Sequence, residues 1–139
     1  MKFEVFTQNV IVTSSDIDER HHVNNLIYLQ WCLDAAETHW HTKTTKALIE
    51  QYVWYVLDHS ISYKASAFEG EELEVKTWVT GYSGVRSTRE YQILRINDQK
   101  VLVEAKTTWC LLDGKTQRPA KITEEIATLF VKTRSNGQY

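Results

Sequence analysis

One stretch of the chain is apolar over most of the girth of a helix, and the segments C-terminal to it alternate between apolar and polar residues. Between Asn24 and His41, Leu26, Leu29, Leu33, Ala36 and Trp40 fall at helical spacing, and Tyr28, Trp31, Cys32 and Ala35 widen that stripe. The opposite polar face is narrow: Gln30, Asp34, Glu37 and His41. Such a helix has to be covered by something broad, and Ala35 and Ala36 would let a sheet come close. The rest of the chain supplies the sheet. Phe3 to Thr13 alternates as a first strand. From Val53 on, four more segments read as strands: Val53–Tyr63 with an irregularity near Asp58, Leu73–Val79, Val85–Ile96 and Lys100–Leu112. Turns at Phe68–Glu71, Gly81–Gly84 and Asn97–Asp98 separate them. These short connections predict that the four pair in sequence order as an antiparallel meander. A short helix is expected over Lys46–Tyr52, capped by Thr44 or Thr45, and a last one over Glu124–Val131, capped by Thr123. The architecture predicted is α+β, a curved antiparallel sheet wrapped around one long central helix. Its edge and outer face must meet water or a second copy.

The whole chain of 139 residues is expected to form one domain over 1–131, with 132–139 as a flexible tail. One proline and five glycines leave no linker to divide it. A net charge of −2 gives no general attraction to nucleic acid or to an acidic membrane. The start lacks the apolar run of a signal peptide, and no stretch has the apolar length of a membrane span, so a cytoplasmic location is predicted. Cys32 and Cys110 match no zinc or redox spacing and read as buried fillers; a thiol nucleophile at Cys32 is the alternative. His39, His41 and His59 have no partner at metal-ligand spacing, and neither metal nor cofactor is expected. Arg86 and Arg89, and Lys115, Arg118 and Lys121, read as solvated charge, with a grip on substrate phosphates as the alternative.

The chemistry gathers between Asp16 and Tyr28, where carboxylates, two adjacent imidazoles and two amides lead into the long helix. A helix start offers unpaired N–H groups and a partial positive charge. A carboxylate and a histidine beside it complete the parts for acyl chemistry: a base or nucleophile, a proton partner and a place for an oxyanion. The plainer alternative is an ordinary cap by Asn24 or Asn25 with surface histidines around it.

Asp18-Glu19-Arg20-His21-His22-Val23-Asn24-Asn25-Leu26-Ile27-Tyr28 resembles the Asp-x-x-Gly-His-Val-Asn-Asn-x-x-Tyr signature of hot-dog-fold thioesterases. The resemblance takes in the 4-hydroxybenzoyl-CoA thioesterase-like group and the acyl-ACP thioesterases, whose pattern continues to match through Trp31. Leu73–Val79 followed by Gly84-Val85-Arg86-Ser87 is similar to a strand and turn of the same families. The resemblance implies a hot-dog domain that hydrolyses an acyl thioester. It implies Asp18 as the catalytic carboxylate, His22 as the site histidine and the N–H near Asn25 as the carbonyl's donor. Arg20, Asn24 and Tyr28 would border the substrate. It also implies acyl-CoA or an acyl-carrier protein as partner, and a homodimer or dimer of dimers. Three positions depart from the pattern. His21 replaces a glycine, Arg20 replaces the Asn of the acyl-ACP branch, and Ser66 and Ala67 stand where that branch carries Glu or Cys. The rivals are a hot-dog module that binds acyl thioesters without cleaving them and, more weakly, a hot-dog dehydratase.

Overall fold

The computed structural model describes residues 2–132; the tail expected over 132–139 lies outside them except for Lys132. Five strands form one antiparallel sheet: β1 (Phe6–Ile11), β2 (Tyr52–Tyr63), β3 (Glu72–Ser83), β4 (Arg86–Arg95) and β5 (Val101–Asp113). The long helix α1 (Asn25–Lys43) lies against it, with α2 (Lys46–Gln51) between α1 and β2 and α3 (Glu124–Thr128) after β5. Thr45 caps α2 and Thr123 caps α3, each hydroxyl accepting a backbone N–H. No helix among the described residues is long and apolar enough to cross a membrane.

The sheet order is β1-β3-β4-β5-β2, which corrects the expected meander of four. Strands β3, β4 and β5 do pair in succession, but β2 pairs with β5 rather than with β3. The segment from Lys64 to Glu71 is therefore not a hairpin turn. It leaves β2 beside β5, where the Lys64 N–H donates to the Leu102 carbonyl, and arrives beside β1, where the Val12 N–H donates to the Glu71 carbonyl. Between these points it passes under the start of α1, giving the Ala67 carbonyl to the Val23 N–H and the Ala67 N–H to the Tyr28 hydroxyl. Eight residues are enough for a tight hairpin or for this crossing; the crossing wins because it covers the end of the core and satisfies its own buried backbone groups. The irregularity expected near Asp58 is present as a register shift between Val56 and Asp58.

The buried face of α1 also differs from the expected stripe. Tyr28, Cys32, Ala35, Ala36, His39 and Trp40 are buried, whereas Leu26 is exposed and Leu29 and Leu33 are half-buried. The small side chains on the Cys32–Ala35–Ala36 face let the helix backbone approach the sheet, so the bulky leucines are displaced to the flank. Opposite it, Leu73, Val75, Thr77 and Val79 of β3 and Ser87, Arg89, Tyr91 and Ile93 of β4 point inward. Arg89 thus lies in the core layer, not in solvent as expected, and His39 meets it there. Away from α1 the central strands carry Glu74, Lys76 and Glu90, half-buried, and Lys106, exposed. Edge strand β2 differs, exposing Val53, Tyr55 and Leu57 in alternation.

Candidate active site

The segment before α1 is tied into a compact knot. The Asp18 N–H donates to the His22 carbonyl (2.9 Å), and the His21 N–H donates back to the Asp18 carbonyl (3.0 Å). Closing so tight a turn places His21 at φ 64, in the left-handed region. This is the position where the resembled signature carries glycine; histidine tolerates that conformation better than most side chains but at a cost. The Asp18 carboxylate is aimed by the same knot: its Oδ1 accepts the Arg20 N–H (2.8 Å) and, at 3.4 Å, the His22 N–H. Asp16, by contrast, turns its carboxylate to the Thr13 N–H and hydroxyl, and its carbonyl takes the Asn24 N–H.

Asn24 caps the helix, its side-chain oxygen accepting the Leu26 N–H at 2.9 Å. Its carbonyl takes the Ile27 N–H. With those donors occupied, the N–H of Asn25, the first residue of α1, has no partner among the described residues. Such an N–H at a helix start, backed by the helix dipole, is suited to hold an oxygen that gains negative charge.

Asp18, Arg20, His22, Val23, Asn24, Asn25 and Ser66 line one cleft of about 340 Å³. Five of the six expected site residues therefore come together there. The sixth, Tyr28, does not line it. Its ring is 2% exposed and its hydroxyl accepts the Ala67 N–H at 2.8 Å, which fixes the crossing segment behind the cleft. Ser66, at the position where the acyl-ACP branch carries Glu or Cys, also lines the cleft; Arg95 Nη2 donates to its carbonyl at 3.0 Å and holds it in place. The His22 ring stands edge-on to Phe68, 5.2 Å between centres. Cys32 is fully buried and burial pushes its thiol up to about 12, which removes it as a nucleophile. Among the described residues no group of three His, Cys, Asp or Glu side chains is placed to hold a metal. The Lys115, Arg118 and Lys121 side chains are exposed on the loop after β5, beside the end of α2 and far from this cleft in the same chain.

A five-stranded antiparallel sheet wrapped on one long helix is the hot-dog fold. The chain belongs to the thioesterase-like superfamily, whose family model matches residues 12–130. It is similar in structure to a 1,4-dihydroxy-2-naphthoyl-CoA thioesterase from Synechocystis, with a TM-score of 0.80 at 22% identity over 91% of this chain and 96% of that one. A probable thioesterase from Escherichia coli gives 0.81 at 20% identity, covering 91% and 99%. A Staphylococcus aureus protein determined in complex with CoA gives 0.83 at 16%, covering 99% and 92%. In sequence the chain is 28% identical over 86 residues to a chloroplastic palmitoyl-acyl carrier protein thioesterase of Cuphea hookeriana. That match takes in 60% of this chain and spans 20% of the length of the Cuphea protein.

Proposed function

We propose that this chain hydrolyses an acyl thioester, carried on CoA or on an acyl-carrier protein, to a free acid and a thiol. The observation that carries the reading is the partnerless Asn25 N–H sharing one cleft with the Asp18 carboxylate. With the thioester oxygen on that N–H, the carbonyl carbon is exposed to attack. Asp18 either takes a proton from the attacking water or attacks directly, leaving an acyl-enzyme for water to open. In both routes negative charge grows on the carbonyl oxygen, where the helix start is already oriented to meet it. The C–S bond then breaks, and the thiolate collects a proton, for which His22 is the neighbouring proton donor in the cleft. Arg20 and Asn24 border the substrate at the mouth of the cleft. Tyr28 acts from behind it, as a positioning residue for the Ser66–Ala67 segment. The chemistry needs neither metal nor redox cofactor.

We propose further that two copies join through β2. Its free edge, with Val53, Tyr55 and Leu57 exposed at 42, 59 and 42%, is a hazard for a lone chain. Antiparallel pairing of β2 with itself sets the Tyr52 end of one copy beside the Tyr63 end of the other. Tyr63 donates its hydroxyl to the Asn25 carbonyl at 3.2 Å, so that end marks the cleft. The basic loop of one copy would then approach the cleft of the other, where substrate phosphates project. A monomer by light scattering at micromolar concentration would contradict this.

The catalytic reading is tested by Asp18→Asn, with Asp16→Asn as control. Loss of a general base costs turnover on the order of a hundredfold or more. Asp16→Asn keeps near-parental turnover, since its carboxylate serves Thr13. Equal rates for Asp18→Asn and the parent would sink the assignment. A parent that binds acyl thioesters and never releases thiol would make this a binding module.

A further inference from the structure

A cavity of about 480 Å³ opens between the second half of α1 and the sheet. Trp40, Trp54, Trp109, Tyr82 and Phe130 form an aromatic part of its lining, and its size is that of a small-molecule site. Of the charged side chains in that lining, Asp34 and Glu37 are exposed and Arg89 is buried. Arg89 reaches the cavity from β4 while only 6% exposed. A single nitrogen of the guanidinium serves the protein: Nη1 lies 3.0 Å from His39 Nδ1 and 3.2 Å from Thr77 Oγ1. Among the described residues Nε and Nη2 have no hydrogen-bond partner, neither is fully enclosed, and Arg89 lines the cavity.

The charge around Arg89 is also incomplete. His39 Nε2 lies 2.8 Å from Glu4, and the same carboxylate oxygen lies 2.8 Å from Lys43 Nζ. Guanidinium only donates and carboxylate only accepts, so the imidazole between them is neutral, with its proton on Nε2. One carboxylate, Glu4, therefore answers two cations, Lys43 and Arg89, and reaches the second only through a neutral ring. The Phe130 face, 5.4 Å from Arg89 Cζ, adds a weak attraction. Asp34 and Glu37 stand on the exposed rim. A buried cation with spare donors and no carboxylate in contact is expensive unless a ligand completes it.

We propose that the cavity takes an acyl group that ends in a carboxylate, and that Arg89 selects it through Nε and Nη2. The reading of the ligand as an acyl group rests on the proposed hydrolase function; the cavity and its guanidinium do not. Lining begins at Gln30, roughly 8 Å along the axis from the helix start, and His39 lies roughly 21 Å along it. Arg89 is thus a specificity residue at a distance from the reacting carbonyl.

Three of the five tryptophans line the cavity, so intrinsic fluorescence reads its occupancy. The probes are non-cleavable ketone analogues of acyl-CoA in two series of increasing chain length, one ending in methyl and one in carboxylate. At the best-fitting length the parent should bind the carboxylate series about tenfold or more tightly, the scale of a charged hydrogen-bond pair. Arg89→Met, checked for fold by circular dichroism, should lose that preference, and Arg89→Lys should keep part of it. Equal or tighter binding of the methyl series by the parent overturns the proposal, as does a preference that survives in Arg89→Met. If Arg89→Met does not fold, the parent's ranking decides alone. Fluorescence that changes with protein concentration and not with either series would assign the cavity to a second copy and overturn it as well. A parent that prefers the carboxylate series but releases no thiol from any thioester sinks the hydrolase reading and leaves this one standing. Cleavage without the preference does the reverse.

Discussion

At its start α1 faces an open cleft in which backbone groups do most of the holding. Asp18 is aimed by two N–H groups, Asn24 spends its side chain on a cap, and the Asn25 N–H is left over. About four turns further on, the same helix buries His39 at 0% exposure against Glu4 and Arg89. There the polar groups are side chains from β4 and from the segment before β1. The first arrangement lies within eight consecutive residues, 18–25. The second joins residues 35 and 50 positions apart. A local knot can place a carboxylate wherever the helix begins, and it tolerates solvent. A buried cluster needs the finished fold around it, and here it leaves two nitrogens of Arg89 without a partner among the described residues.

Turnover should separate the two regions most sharply. Asp18→Asn removes about a hundredfold or more in kcat with little change in substrate affinity. Arg89→Met should leave kcat on methyl-ended thioesters within a few-fold of the parent and act on KM for the carboxylate-ended ones. Steady-state kinetics on both substrate types checks the split; a large kcat loss in both variants would mean that the regions are one unit.

Acid should distinguish them next. Burial pushes His39 down to about 4, against its ordinary value of 6.5, so the folded chain keeps it neutral. As pH falls from about 6.5 to about 4, the unfolded chain takes up a proton that the folded chain refuses. The unfolded state then binds more protons, and stability falls with acidification across that window. The loss is on the order of 2–3 kcal/mol at the acid end. His39→Gln should flatten this part of the curve in urea titrations at several pH values; an unchanged slope would contradict the neutral, buried imidazole.

Tyr28→Phe tests whether the cleft depends on what lies behind it. Without the hydroxyl, the Ala67 N–H loses its acceptor in a buried place, at about 1–3 kcal/mol. Stability should drop by that amount and turnover should fall with it, because Ser66 borders the cleft; denaturant unfolding and kinetics on the same variant decide. The smallest effect is expected at the turn. His21→Gly relieves a side chain at φ 64 and should raise stability by up to about 1 kcal/mol, seen as a small rise in Tm with activity retained.

Legibility in the sequence divides along the same line. The helix start could be read because its residues are contiguous and their roles are backbone roles, and the strands could be read from alternation. The placement of β2 could not, since eight residues fit either a hairpin or a crossing and no local signal separates them. The helix face was not legible because leucine spacing points to one stripe, whereas the small Cys32, Ala35 and Ala36 are what allow contact with a sheet. Arg89 does carry a local signal. It stands in step with Ser87, Tyr91 and Ile93, which places it on the inward face of β4. Its charge argued for solvent, and only the fold brings His39 to meet it.

The central claim is that the thioester carbonyl sits on the Asn25 N–H beside Asp18. Backbone amide NMR during titration with a ketone analogue of acyl-CoA reads this directly. The Asn25 amide resonance should move furthest downfield among the amides of residues 18–30, and it should do so in Asp18→Asn as well, because binding does not need the carboxylate. Saturable binding that leaves the Asn25 amide in place would contradict the account.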